Sequence, residues 1–489
     1  MEWTREQRYR TFDTMTTAEQ NTLLSSVSTS FWRQGFHIQP PYGLLNDPNG
    51  FTWFNGRFYL FYQWFPFGPV HGLKNWYQTS SAQLTNWESD GIALKPEYDH
   101  ESHGIFSGSG LVYGDKLYLF YTANHRNDEW ERKSSQCVAI METDGTITKV
   151  KKPIIAKQPP GYTEHFRDPK VWQAGNRFYM VIGAQRDDMS GCILFYDSEN
   201  LFDWKLIGEL QTNEDQFGFM WECPDYFELD GRGILLFSPQ GLQSQGESYQ
   251  NLYQAGTFVG DRLDLKSGKL THAPFQEIDA GFDFYAPQTT AAPDGRRLLI
   301  GWMGLPEIAY PTDQEGWAHC MTIPRELFLQ NGSLCQRPAR ELKELRGPAV
   351  TEKHQVSSTH TLLSSFSAKR YELAATITLS SAKKAGLALC VGEQEQTLLY
   401  MDRMLNRVVL DRTNSGVSFA EEYGTTRSVP YSKDHIKLQI FVDSSSIEVF
   451  VNNGEATFTA RIFPQEGSTG ISFFSEDGSS SIKAIQWEY

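Results

Sequence analysis

The sequence predicts an all-β chain, a five-bladed β-propeller followed by a C-terminal β-sandwich with a short helical N-terminal extension, and three observations predict it. From residue 31 onward the chain consists of short aromatic and β-branched runs broken by Gly, Asn and Asp turns, which is the texture of strands. Within it one strand recurs: RFYLFYQW from Arg57, KLYLFYTA from Lys116, RFYMVIGA from Arg177, GILLFSPQ from Gly233 and RRLLIGWM from Arg296. The intervals between first residues are 59, 61, 56 and 63, which suit one four-stranded sheet per repeat. One or two aromatic hairpins arise by chance in any large β protein, whereas five evenly spaced copies define blades. Finally, the period is lost after about residue 345, where the chain becomes Ser-rich and alternating.

Taken in order, residues 1–30 read as a helical extension, with Thr16 and Glu19 spaced as a capping box ahead of Leu23 and Leu24. Residues 31–345 are the propeller, whose radially packed sheets leave a central channel with a funnel at one end, a natural place for a polar site. Residues 350–489 read as a β-sandwich packed on it. Alternating runs such as IKLQIFVD from Ile436 and IEVFVNNGEATFTARIF from Ile447 form its strands, and Asn453-Gly454 between apolar runs marks a hairpin.

Composition narrows the function. A net charge of −15 repels nucleic acid and anionic membranes, so neither is expected as a partner. Aromatic residues make up 14% of the chain, which favours strands and supplies flat faces for stacking on sugar rings. The six cysteines show no CxxC and no regular spacing, so the expectation is reduced thiols, with neither a zinc site nor a disulfide framework. The start, MEWTREQRYRTFD, is charged where a secretory signal is apolar, and no run of 18 apolar residues occurs. A cytoplasmic protein, monomeric or homodimeric, is expected.

Upstream of each repeated strand lies a polar motif: Asn46-Asp47-Pro48-Asn49-Gly50, Phe106-Ser107-Gly108-Ser109, Arg167-Asp168-Pro169, Glu222-Cys223-Pro224-Asp225, and Asp283-Phe284-Tyr285-Ala286-Pro287-Gln288. Asp47, Ser107, Asp168, Glu222 and Tyr285 precede their strands by 9 to 11 residues. Equal phase in equivalent blades means equivalent positions in space, so these groups ring one mouth of the channel. A single Asp before Pro is often only a turn cap. Three acids in phase are a poor structural device, because like charges repel and desolvation adds to the cost, and so they point to function. Clustered carboxylates also suit calcium or magnesium. The motifs lack an EF-hand's dense oxygen ligands, and no HExxH is present, so carboxylate chemistry on a sugar is preferred, with no metal and no cofactor expected.

LLNDPNG, FSGS, FRDP, ECPD and DFYAPQ, in that order, with DSSSIEVFVNNG and RIFP near the C-terminus, resemble the signature of glycoside hydrolase family 32. The resemblance spans both parts of the chain and implies a five-bladed propeller followed by a β-sandwich, in agreement with the repeat count. It also implies that Asp47 is the nucleophile, Glu222 the general acid/base and Asp168 the transition-state stabiliser of a retaining β-fructofuranosidase. Arg167 is expected to hold Asp168 ionised. Leu44, Leu45, Asn46, Gln63, Phe106, Ser107 and Arg167 are implied to line the fructosyl subsite, with Trp76 and Trp302 as candidate walls and Tyr285 as a lining residue or a support behind it. Other readings are an inverting propeller hydrolase of arabinan or xylan, a fructosyltransferase, and an inactive sugar-binding protein on the same fold.

The segments FHIQPPYGLLNDPNG, GPVHGLKNWYQTSS and YTANHRNDEWER look most like the sucrose-6-phosphate hydrolase and intracellular sucrase branch of that family. A phosphate needs basic donors near the mouth. The candidates are His71 and Lys74, and His125 and Arg126 after Asn124. Gln78 stands where this branch commonly has His, so free sucrose and short fructo-oligosaccharides stay open as substrates.

Overall fold

The computed structural model describes residues 3–214 and 216–489. Five sheets form the propeller. Each begins on the strand that carries one of the polar motifs, Gly43–Phe54, Ile105–Tyr113, Tyr162–Ala174, Met220–Leu229 and Tyr285–Ala291, and continues through the repeated strand. The five first strands touch one another in a closed ring around the axis. The ring is sealed where Trp317–Ala318, late in the fifth repeat, adds in parallel to Gly43–Leu44 of the first. This removes the open sheet edge that a linear array would leave.

The aromatic repeat strands supply the packing between blades. Leu117, Leu119 and Tyr121 of the second blade meet Phe54, Phe61 and Trp76 of the first. Val181, Ile193 and Phe195 of the third meet Trp221, Leu235 and Phe237 of the fourth. Two six-stranded antiparallel sheets of later strands form the sandwich, enclosing a core that includes Leu373, Leu387, Leu399, Ile440, Val449 and Phe473.

The two parts meet through buried charge. His37 lies between Asp443 (Nδ1 to Oδ2, 2.8 Å) and Glu448 (Nε2 to Oε1, 2.9 Å). Arg325 donates to Glu448 and to Asp279 (3.0 Å), and Arg412 donates to Asp283 (3.0 Å). Such a network is costly to desolvate and stable only when every member is paired, so it fixes how the sandwich seats. The N-terminal extension contains helices at Arg5–Arg8 and Thr17–Ser28, the second opened by the reciprocal Thr16–Glu19 capping box. It packs on the first blade, with Arg8 donating to the His71 carbonyl (2.8 Å) and accepting from the Leu73 amide (2.7 Å).

Candidate active site

All five innermost strands break register at the motif: between Asn46 and Pro48, Ile105 and Gly108, Arg167 and Lys170, Glu222 and Asp225, and Tyr285 and Gln288. A bulge re-aims side chains and stops pairing locally. Four of the five place a proline there, Pro48, Pro169, Pro224 and Pro287, and a residue without an N–H forfeits no ladder bond at a bulge. Asp168, Cys223 and Ala286, each preceding one of these prolines, have φ of 71°, 49° and 46°. Non-glycine residues in that region are strained. Each is held there by its own amide, which donates to Thr122 Oγ1 (2.9 Å), Asp168 Oδ2 (3.1 Å) and Ser238 Oγ (3.2 Å) respectively.

The result is two carboxylate groupings facing one mouth. Asp47 accepts from Ser107 Oγ (2.5 Å) and Asn46 Nδ2 (3.1 Å), and Gln63 spans behind them, donating to Ser107 Oγ (2.6 Å) while accepting from Asn46 (2.9 Å). Burial, and next the charge of Glu222, raise the Asp47 acid, while the Ser107 and Asn46 hydrogen bonds oppose the rise. Glu222 is held at both oxygens. Arg167 reaches Oε1 through Nε (2.9 Å) and Nη2 (2.6 Å), and Gln240 Nε2 (2.9 Å) and the Tyr285 hydroxyl (2.7 Å) reach Oε2.

Asp168 lies between the two groupings, and the Cys223 thiol sits 3.7 Å from it and 3.8 Å from Asp47. Burial pushes the Asp168 acid up to about 7, Arg167 opposing and Glu222 and Asp47 adding to the rise. The expectation that Arg167 acts on Asp168 holds in part: the guanidinium lies 4.0 Å from Asp168 and its charge opposes the rise of that acid, but its hydrogen bonds go to Oε1 of Glu222 in the next blade.

Other sequence candidates fall in different places. Phe106 is part-exposed, under the Arg132 guanidinium at 5.6 Å. Trp302 packs edge-on against Tyr285 (6.0 Å) and His71 (6.1 Å), its indole N–H without a protein acceptor. Trp76 is wholly buried between the first two blades and donates to the Phe106 carbonyl (3.1 Å), so it supports the mouth from behind. Leu44 and Leu45 point into apolar clusters.

The four basic candidates do not form one cluster. Lys74 is buried, its ammonium lacks a protein acceptor, and burial lowers its pKa to about 7 against the pull of Asp47. His71 is kept neutral by burial and then by the neighbouring Lys74. His125 bonds Ser102 Oγ (2.8 Å), and Arg126 donates to the Trp130 carbonyl (2.8 Å).

Sequence reasoning missed Gln240, Thr122, Arg132 and His165 as neighbours of the acids. A signal existed for two of them: Thr122 occupies the place in KLYLFYTA that Gln63 occupies in RFYLFYQW, and Gln240 ends GILLFSPQ. Among the described residues no group of three or more His, Cys, Asp or Glu side chains is placed to hold a metal ion, and no helix is long and apolar enough to cross a membrane.

Carboxylates from three blades brought to the same bulge of the inner strands, each in the field of the others, suit the two-carboxylate chemistry of a glycoside hydrolase. Comparison with known proteins agrees. The model of the glycosyl hydrolases family 32 N-terminal domain matches residues 37–338, and that of the family 32 C-terminal domain matches residues 341–488. The chain belongs to glycosyl hydrolase family 32. It is similar to sucrose-6-phosphate hydrolase of Staphylococcus xylosus, at 45% identity over 487 residues covering 100% of this chain and 98% of that protein. Among solved structures it is similar to sucrose-6-phosphate hydrolase from Lactobacillus gasseri, with TM-score 0.93, 35% identity and coverage of 100% and 99%. It is also similar to a mutant Bombyx mori GH32 beta-fructofuranosidase in complex with sucrose, with TM-score 0.81, 31% identity and coverage of 96% and 98%.

Proposed function

We propose that this protein is a retaining β-fructofuranosidase that hydrolyses sucrose 6-phosphate and sucrose. The observation that carries the reading is that Asp47 of the first blade and Glu222 of the fourth lie close enough for the charge of one to raise the acid of the other. Asp47 is aligned by neutral donors, while Glu222 is gripped by Arg167 on one oxygen and by Gln240 and Tyr285 on the other. In the first step protonated Glu222 gives its proton to the glycosidic oxygen as Asp47 attacks the anomeric carbon. The C–O bond breaks with its electron pair on the departing hexose, and a fructosyl ester of Asp47 forms. In the second step Glu222 takes a proton from water, which opens the ester and restores the configuration. The Tyr285 hydroxyl suits both halves, because it donates to the ionised carboxylate and accepts from the protonated one. Asp168 accepts from fructosyl hydroxyls as positive charge develops on the ring.

In this reading residues 31–345 carry the chemistry and residues 350–489 buttress the fourth and fifth blades. The enzyme works in the cytoplasm on an imported sugar, as a monomer or homodimer. The test is release of fructose from sucrose 6-phosphate and from sucrose by wild type, Asp47→Ala and Glu222→Gln. Loss of at least 1,000-fold in kcat in both variants, about 4 kcal/mol, with the β-anomer of fructose formed first by NMR, supports it. Activity retained in Asp47→Ala, or first formation of the α-anomer, overturns it.

A further inference from the structure

The hairpin that ends the repeated strand of the second blade carries an unusual pair. Arg126 and Arg132 are direct cross-strand partners, and like charges directly opposite on a sheet destabilise it. Their only direct relief among the described residues is neutral: Arg126 donates to the Trp130 carbonyl and lies over its ring, and Arg132 lies over Phe106. Among the described residues neither forms a salt bridge, and the Nε of each is buried without a partner. Of the acids in the adjoining segments, Glu131 is engaged with Asn127 (2.8 Å) and Glu164 with Gln158 (2.9 Å) and the Ser134 amide (3.2 Å), while Asp128 and Glu129 in the hairpin turn are exposed. Burial, and then Arg167 and Arg126, lower the Arg132 pKa to about 10, which leaves it charged at neutral pH. In a chain of net charge −15, two facing guanidinium groups with no carboxylate partner among the described residues are a cost that an anionic ligand removes.

Their position says which part of the substrate that ligand is. Arg132 stacks over Phe106 at the mouth, and its charge is felt together with those of Arg167 and Glu222. Between Arg132 and Arg167 lies His165, whose Nδ1 is 3.0 Å from Arg167 Nη1. A guanidinium only donates, so Nδ1 accepts and the imidazole proton sits on Nε2, free to donate outward. Burial, and then Arg167 and Arg132, lower the His165 pKa to about 4, so this neutral tautomer holds at physiological pH. A line of donors thus runs from Glu222 through Arg167 and His165 to Arg132 and Arg126. Glu222 protonates the leaving oxygen, so the leaving hexose lies along this line.

We propose that Arg132 and Arg126, with His165 between them and Arg167, bind the phosphate of a phosphorylated leaving hexose and set the preference for sucrose 6-phosphate over sucrose. This rests on the fructofuranosidase reading above and adds Arg132 and His165 to the residues that read the substrate. His71 and Lys74 lie outside it: one is neutral, and the other is buried in the field of Asp47.

The test compares the ratio of kcat/KM for sucrose 6-phosphate to that for sucrose in wild type, Arg132→Gln, Arg126→Gln and Lys133→Gln, the last a cation on the opposite face of the same hairpin. Calorimetric titration of each protein with glucose 6-phosphate accompanies it. A ratio at least tenfold lower in Arg132→Gln and in Arg126→Gln, at least tenfold weaker glucose 6-phosphate binding in both, and neither change in Lys133→Gln are expected. Ratios within twofold of wild type, or an equal fall in Lys133→Gln, overturn the proposal. The titration separates the two readings. Wild type that cleaves neither sugar yet binds glucose 6-phosphate through Arg132 refutes the enzyme activity and keeps the anion site, whereas active wild type that does not bind glucose 6-phosphate refutes the anion site alone.

Discussion

Ser107→Ala isolates how the candidate nucleophile is kept ready. The Ser107 side chain is fully buried, and its hydroxyl spends its single proton on Asp47 Oδ2 at 2.5 Å while accepting from Gln63 Nε2. Alanine removes a hydrogen bond to a charged acceptor, worth about 1.5–3 kcal/mol, or roughly 10- to 150-fold in an equilibrium. The sign follows from the two states of Asp47. Ser107 favours the carboxylate, against the burial and the Glu222 charge that raise the acid, so its removal raises that acid further. The acidic limb of the kcat/KM profile reports the free enzyme. It therefore moves to higher pH, and the variant loses about 10- to 150-fold on the acid side and less on the alkaline side. Ser109→Ala is the control, because that hydroxyl donates to the Pro169 carbonyl (2.8 Å) and touches no carboxylate. The limb stays in place there even if thermal stability falls. An unmoved limb in Ser107→Ala, or an equal movement in Ser109→Ala, refutes the reasoning.

Three further outcomes follow from buried groups. Burial alone lowers the His37 pKa, but the bonds to Asp443 and Glu448 outweigh it and raise the value from 6.5 to about 9, a difference of about 3 kcal/mol. That stabilisation is fully present below pH 6.5 and lost as pH rises through about 9, so the melting temperature falls across this window in wild type and more shallowly in His37→Asn. Lys74, lowered from 10.5 to about 7 by burial, costs stability whenever it must be charged. Lys74→Met therefore raises the melting temperature most below pH 7, by an amount that shrinks as pH climbs toward 10.5. All six cysteines are buried and unbonded to one another, so a thiol reagent titrates six groups in denaturant and few on the native protein.

What the sequence made legible was whatever depends on local pattern. Five copies of an aromatic strand became five blades because alternation and turn residues fix a hairpin within about ten residues, and a constant offset within a repeat becomes a constant height in the ring. Asp47, Asp168, Glu222 and Tyr285 were readable for that reason alone. Contacts between blades were not. Adjacency in the sequence suggested that Arg167 serves Asp168, and its charge does reach that acid, but nothing in the sequence showed that the register break after Arg167 lets its hydrogen bonds cross to Glu222, 55 positions away. The family resemblance offered Trp76 as a candidate wall of the subsite, but its strand turns it into the packing between two blades. The His37 and Glu448 pair, 411 positions apart, leaves no periodic trace at all. The same distinction separates the basic candidates. His71 and Lys74 stand in a motif and so attracted attention, whereas Arg132 became visible as a ligand-binding group only through its cross-strand register with Arg126 and its unpartnered Nε. An uncompensated charge is a property of the assembled surface, which makes it the feature that a linear reading is least equipped to find and that substrate selection can most directly use.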